Sequence, residues 1–345
     1  MIRPIFRFIL GVLIAVVLAE GLLRVLPVST ATESGYYIDP EILTYPAHHV
    51  WTSSTGWDLK NAHRHLSNNA GFLADRDFVP DPNAIALIGD SYVEASMLDP
   101  DDRPAAQLAR LISTRPVYAM GGPGSSLLDY AERIRFAATT YGIRDFVLLL
   151  ERADVRQALC GSGNIHGPCI DRQTLVLRDE HQPPPTLMKR LVRQSAFAQY
   201  LFGQLKIDPQ SAMRMMFGRI SADEQREPER RSAQVETDGM KAFEAVVDDF
   251  ASKTQRYVKG RLIVVIDGDR SRIYQGLEPR PDPSLDLLIA RLHAQRIPIV
   301  DGQPLLAEYY QRSSRRLDVG PYDHHLNPVG VRLLMQPVAR LLASE

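Results

Sequence analysis

The sequence predicts an α/β fold with a five-stranded parallel sheet, preceded by an apolar N-terminal helix and interrupted by a long insertion. Three observations predict it. Five short runs rich in Val, Ile and Leu, at 84–88, 116–120, 146–150, 262–266 and 297–300, stay apolar throughout, as strands buried on both faces do. Segments of helical period lie between or after them, at 104–113, 126–141, 238–257, 283–295, 303–314 and 329–343. Such alternation closes through right-handed crossovers into a parallel sheet with helices on both faces, whose ligands bind beyond the carboxyl ends of the strands. Third, 345 residues at 45% hydrophobic and 23% charged suffice for the core of one large domain or two modest ones.

The N-terminus comes first. Residues 1–27 place Arg3 and Arg7 ahead of an apolar run from Phe8 to Ala19. The pattern fits a signal anchor that stays as a transmembrane helix, or a signal peptide cleaved after Val17-Leu18-Ala19. The return of apolar residues at Leu22-Leu23 and Val25-Leu26 favours the anchor. Glu20 and Arg24, four apart, are placed to pair on one helix face near the membrane edge. The basic flank stays cytoplasmic by the positive-inside rule, which puts the remaining chain outside the cytoplasm. For a bacterial protein that means a single-pass inner-membrane anchor with the rest in the periplasm or outside the cell.

Residues 28–80 carry scattered Pro, Gly, Trp and His without a period and read as an irregular entry segment. His48, His49, His63 and His65 fit no standard ligand spacing and read as polar surface histidines rather than a metal site. The main domain spans 81–345. Its third and fourth apolar runs are separated by about 110 residues, far more than a crossover needs. An insertion is therefore expected at about 155–258, partly helical, over one side of the active-site face. It contains Pro183-Pro184-Pro185, an amphipathic piece at 187–205 and a charged stretch at 222–231. It also holds the only two cysteines, Cys160 and Cys169, in a loop rich in Gly, Asn and Pro. In an oxidising compartment they read as a disulfide. Free thiols and a metal site with His166 are the alternatives, the latter having too few ligands. A net charge of -1 gives no global basic field for nucleic acid, and the Arg-rich stretches at 226–231 and 312–316 read as solvated faces.

Two distant segments carry the chemistry. Gly89-Asp90-Ser91-Tyr92 follows the first apolar run, so Ser91 sits at a strand-to-helix turn on the carboxyl edge of the sheet. A helix N-terminus there favours developing negative charge. A serine hydroxyl needs a base to take its proton. Asp323-His324-His325 near the C-terminus offers one, and the Asp-x-His spacing selects His325 over His324 as base with Asp323 as its orienting partner. Asn327-Pro328 then turns the chain into the final helix. An oxyanion hole needs donors aimed at the charge that forms. The Ser91 N–H is one candidate, and Gly122 or Gly124 of Gly121-Gly122-Pro123-Gly124 is another, because glycine lets backbone approach a substrate closely.

These segments resemble the SGNH hydrolases, the GDSL esterase/lipase superfamily, over most of residues 68–345. Gly89-Asp90-Ser91-Tyr92 is similar to the first block of that family, with Ser91 as nucleophile. Asn69-Ala70-Gly71-Phe72 is similar to the Asn-x-Gly-Phe segment preceding it in the membrane-anchored bacterial branch. Gly121-Gly122-Pro123-Gly124 resembles the second block, and Asp323-His324-His325-Leu326-Asn327-Pro328-Val329-Gly330 the last. The resemblance implies a flavodoxin-like three-layer fold and a catalytic triad of Ser91, His325 and Asp323, working without metal or cofactor. One block departs from the pattern. After the third strand the family shows Asn, often Asn-Asp, whose amide completes the oxyanion hole. Here the chain reads Glu151-Arg152-Ala153-Asp154. Losing one oxyanion donor costs about 2.7–4 kcal/mol of transition-state stabilisation. Either Arg152 replaces the amide as a cationic donor, or backbone N–H groups serve alone, or hydrolytic power is lost. The implied activity is an extracytoplasmic serine esterase or O-acyltransferase acting on O-acetyl or other ester groups of a cell-envelope carbohydrate. The alternatives are a non-catalytic glycan-binding or assembly factor and a lipid esterase.

Overall fold

The computed structural model describes residues 2–163, 167–205, 207, 232–320 and 323–343. His166 and the charged stretch at 222–231 lie outside the described residues. The chain divides into two compact units, one drawn from 1–33, 50–65 and 183–228 and the other from 34–49, 66–182 and 229–345.

The larger unit is built on five strands: β1 (Ile85–Gly89), β2 (Val117–Gly121), β3 (Asp145–Leu150), β4 (Leu262–Ile266) and β5 (Ile299–Asp301). They lie in the order β5-β4-β3-β1-β2 with every pairing parallel. This is the flavodoxin strand order, in which the crossovers diverge between β1 and β3 and leave a crevice at their carboxyl ends. Each apolar run thus becomes a strand, the last one shifted towards Asp301.

Side chains on a strand alternate faces, so each fully apolar run feeds two cores. Ile85, Leu87, Val147, Leu149, Ile263 and Val265 pack with Leu108, Leu306, Leu334 and Val338 from helices Pro104–Ile112, Gly302–Ser313 and Pro328–Ala343. Ala86, Ile88, Phe146, Leu148, Val264 and Ile266 pack with Leu128, Ile134, Val246, Phe250 and Leu288 from helices Leu127–Tyr141, Ser232–Tyr257 and Pro283–Ala294. The helix starts are chemically marked. Ser126 and Asp129 form a reciprocal capping box, and Asp282 caps a helix that opens on Pro283.

The segment read as irregular contains four short strands. Gly35–Asp39 pairs antiparallel with Ile42–Thr44, and Val50–Ser53 pairs with His63–Leu66. Runs of three to five residues with mixed polarity are too short for alternation to register. In the insertion, Cys160 and Cys169 are joined by a disulfide with Cα atoms 5.0 Å apart. Cys169 sits within Pro168–Ile170, which pairs antiparallel with Leu177–Asp179.

In the smaller unit, helix Ile2–Val25 leaves most of its apolar side chains from Ile5 onward exposed. Its segment Pro4–Val25, 22 residues with mean hydropathy 2.4, is long and apolar enough to cross a membrane. At 1.5 Å per residue it spans about 33 Å, against about 30 Å for a hydrocarbon core. Glu20 and Arg24 pair at 2.7 Å near its end.

The stability of the larger unit rests on the central strands. Leu148 of β3 is fully buried. Leu148→Ala is expected to cost about 2–5 kcal/mol, read from the urea denaturation midpoint.

Candidate active site

The carboxyl end of β1 is crowded, and its residues show why. A Cβ at Gly89 would stand 2.6 Å from the Leu149 carbonyl oxygen, and one at Gly121 would collide with the Glu94 backbone nitrogen. Two glycines therefore let the ends of β1 and β2 close around a one-turn helix, Ser91–Glu94. Asp90 caps that helix by accepting the Tyr92 N–H at 2.8 Å. Ser91 is its first residue, half-buried.

His325 comes from a short strand, Asp323–Leu326, paired antiparallel with Asp318–Gly320. Asn327 locks this strand to the final helix. Its Oδ1 accepts the Val329 and Gly330 N–H groups at 3.1 and 3.0 Å, and its Nδ2 donates to the Arg316 and Asp318 carbonyls. His325 Nε2 lies 2.8 Å from Ser91 Oγ. His325 Nδ1 lies 2.6 Å from Asp323 Oδ1, which also accepts the His325 backbone N–H at 3.0 Å. His324 points its side chain to solvent instead. The three residues meet at the β1/β3 crevice as an unbroken hydrogen-bonded chain.

A buried arginine ties this chain to β4. Arg270, beyond the end of β4, pairs with Asp267 at 3.2 Å and with Asp318. It also donates to the His324 carbonyl and, at 2.8 Å, to the Tyr92 hydroxyl. The Tyr92 ring in turn stands 5.1 Å from the His325 ring. One guanidinium thus holds both the residue after Ser91 and the residue before His325. Sequence reasoning passed over Arg270; the available signal was Asp267-Gly268-Asp269-Arg270 standing directly after an apolar run, where an α/β sheet places its site.

The second missed residue is Arg133, 1% exposed. Its Nη1 donates to the Gly89 carbonyl at 2.6 Å and more weakly to that of Met120, and its Nη2 bonds Ser125 Oγ. A Cβ at Gly122 would strike this guanidinium. The Asn69-Ala70-Gly71-Phe72 segment braces it from behind, with the Phe72 ring 6.0 Å from Arg133 Cζ.

The four candidate oxyanion donors are placed differently. The Ser91 and Gly124 N–H groups have no acceptor among the described residues, and Gly124 turns at φ +75. The Gly122 N–H is engaged with the Gly89 carbonyl at 3.2 Å. Arg152 bonds the Arg280 carbonyl at 3.3 Å and lines a cleft of about 440 Å³ with Tyr92, Glu151, Arg270 and His324. Ala153 offers no side-chain donor, and Asp154 turns inward to accept from the Glu151 N–H at 2.9 Å and the Tyr130 hydroxyl at 3.1 Å. A larger depression of about 770 Å³ lies at the other end of β4, around Arg261, Leu262 and Pro298, remote from these groups.

Burial dominates the electrostatics. The Asp90 carboxyl is pushed up to about 6 by desolvation, against the Tyr92 N–H and the nearby His325. Glu94 is pushed up to about 7 by desolvation, against hydrogen bonds that include the Tyr45 hydroxyl at 3.0 Å. Desolvation also raises Asp154 well above the ordinary carboxylate range.

No family model matches this chain, and no curated protein does. Solved structures do. A member of the lipolytic protein G-D-S-L family from Veillonella parvula aligns at 14% identity and TM-score 0.37, covering 76% of this chain and 99% of that one. The lipase/acylhydrolase from Enterococcus faecalis aligns at 13% identity and TM-score 0.40, covering 75% and 95%. A catalytic mutant of an acetylxylan esterase from Geobacillus stearothermophilus aligns at 12% identity and TM-score 0.41, covering 77% and 97%.

Two outcomes test the site's energetics. Glu94 has an ordinary pKa near 4.5 when unfolded and about 7 when folded, so the folded state binds more protons between those values. Its contribution to stability therefore falls as pH rises through that window. Glu94→Gln, which keeps an acceptor for Tyr45, is expected to gain stability over wild type at pH 8 by on the order of a few kcal/mol and little at pH 4.5. Denaturation midpoints at the two pH values read this difference. Arg270→Met removes the cation facing the buried Asp267 carboxylate, leaves Asp318 with Arg316 alone, and is expected to destabilise by about 3–5 kcal/mol in the same assay at pH 7.

Proposed function

We propose that this protein is a membrane-anchored, extracytoplasmic serine esterase or O-acyltransferase that moves acyl groups, acetyl foremost, on a cell-envelope carbohydrate. The observation that carries the reading is the hydrogen-bonded run from Ser91 Oγ through His325 to Asp323. In this reading Ser91 Oγ attacks the ester carbonyl as its proton passes to His325 Nε2. Asp323 holds the imidazole in the tautomer that leaves Nε2 free to accept, and it steadies the imidazolium. The oxyanion forms against the Ser91 and Gly124 N–H groups, with Arg152 as the cationic donor on the far side of the crevice.

Collapse of the tetrahedral intermediate breaks the bond to the alcohol, which leaves with the proton from Nε2. The acyl group remains on Ser91. A water or a sugar hydroxyl then gives its proton to Nε2, attacks the acyl-serine, and returns Oγ to its hydroxyl form. Water yields an acid; a hydroxyl yields a new ester. The carbohydrate substrate and the periplasmic placement rest on the sequence resemblance and on the apolar N-terminal helix.

A fluorophosphonate probe tests the nucleophile. Wild type is expected to label and Ser91→Ala to remain blank. Asp323→Asn is expected to lower kcat on an acetyl ester by about 10³–10⁴-fold. If folded wild-type protein takes no label and turns over no acetyl ester, the catalytic reading falls and a glycan-binding role replaces it. A preference for long acyl chains over acetyl would move the substrate to lipid.

A further inference from the structure

The amphipathic piece at 187–205 has no part in the chemistry above. Its first helix, Leu187–Gln194, buries none of its side chains. Leu187, Met188, Leu191 and Val192 are between 39% and 71% exposed. Spaced at i, i+1, i+4 and i+5, they form one stripe, while Lys189, Arg190 and Arg193 occupy the opposite side. A helix of eight residues with no buried face does not persist in water on its own propensity. It needs a surface.

The same unit holds this helix at one defined place. Glu20, near the end of the apolar helix, accepts from Ser195 Oγ at 2.8 Å and from the Ala196 and Phe197 N–H groups at 3.1 and 2.9 Å. Arg24, paired with Glu20, donates to the Gln194 carbonyl at 3.4 Å. These bonds fasten residues 194–197 to the last turns of the segment Pro4–Val25. If that segment crosses the bilayer, its final turns stand where hydrocarbon gives way to headgroups. The turn that follows, Gln199–Gln204, exposes Phe202 beside the same junction.

We propose that residues 187–204 lie in the plane of the extracytoplasmic membrane surface, with Leu187, Met188, Leu191 and Val192 in the acyl boundary and Lys189, Arg190 and Arg193 against anionic phospholipid headgroups. The occupant of the exposed stripe is the same bilayer the anchor crosses. Continuity with the span and the match of three cations to anionic lipid carry the assignment. It rests on the reading of residues 4–25 as a span. The consequence is a second attachment that restrains the chain where it leaves the membrane.

The test uses full-length protein with its disulfide intact, reconstituted into vesicles of three parts phosphatidylcholine to one part phosphatidylglycerol. Leu191→Cys, Arg190→Cys and, within the span, Leu13→Cys each carry an environment-sensitive fluorophore. The expected result is blue-shifted emission at position 191, quenched about twofold or more by a shallow doxyl-labelled lipid, with position 190 far less quenched. Vesicles of phosphatidylcholine alone are expected to weaken the signal at 191. Solvent-like emission at 191 with quenching at 13 overturns the proposal and leaves the span intact. No quenching at either position overturns the span reading and the proposal with it. Blue-shifted but unquenched emission at 191 means that a second copy covers the stripe, which also overturns it. An equal response in phosphatidylcholine alone overturns the assignment to anionic headgroups.

Discussion

The arrangement at the carboxyl edge of the sheet depends on how closely the Ser91–Glu94 turn can pack against the ends of β1 and β2. Their terminal glycines, Gly89 and Gly121, remove side chains that would strike Val93, the Glu94 backbone and the Leu149 carbonyl. The carbonyls left facing the gap are gathered by Arg133, which bonds both Gly89 and Met120. A cation buried at this depth is costly unless its donors are used and opposite charge lies near. Gly89, Met120 and Ser125 accept from its two terminal nitrogens, while its Nε is buried without a partner among the described residues; burial lowers its pKa, against the pull of Asp129 and other nearby acidic groups. The Ser91 turn and the glycine loop are thereby two ends of one hydrogen-bonded cluster.

The same cluster explains why so many carboxyls near Ser91 resist ionisation. Asp90, Glu94 and Asp154 all lie where water does not reach, and burial raises each of them. Asp90 caps the Ser91 helix and Asp154 holds the turn after β3, so both act as acceptors for backbone N–H groups. Negative charge on them would oppose the oxyanion of the proposed mechanism, and burial works against that charge. Arg270 performs the matching task on the other wall, where its two aspartates neutralise it and its remaining donors hold Tyr92 and the His324 carbonyl.

How much of this was legible in the sequence varied with the physics of each part. The strands were legible because strands buried on both faces must be apolar at every position, and the shortness of each run and the helical pattern flanking it argue against a buried helix. The meeting of Ser91, His325 and Asp323 was legible because Ser at a strand end and the Asp-x-His spacing point to one edge that the strands had already located. The entry strands were not, since pairs of three to five residues leave no periodic trace. Arg133 and Arg270 were hidden for a different reason. A charged residue in a helical or loop pattern reads as solvent-facing, and only the fold shows that its donors turn inward. The Gly122 N–H illustrates the same limit, because its engagement with the Gly89 carbonyl follows from strand pairing rather than from the local sequence.

Ser91 and His325 are separated by 234 positions. A ribosome delivers the first long before the second, and a chain exported N-terminus first meets the far side of a membrane in the same order. Throughout that interval Ser91 Oγ lacks its His325 partner. The pair closes only when the strand carrying His325 docks, and the final helix that Asn327 starts is what seats it. On the proposed mechanism the reactive serine is therefore completed last, and a chain truncated before that strand would lack its base.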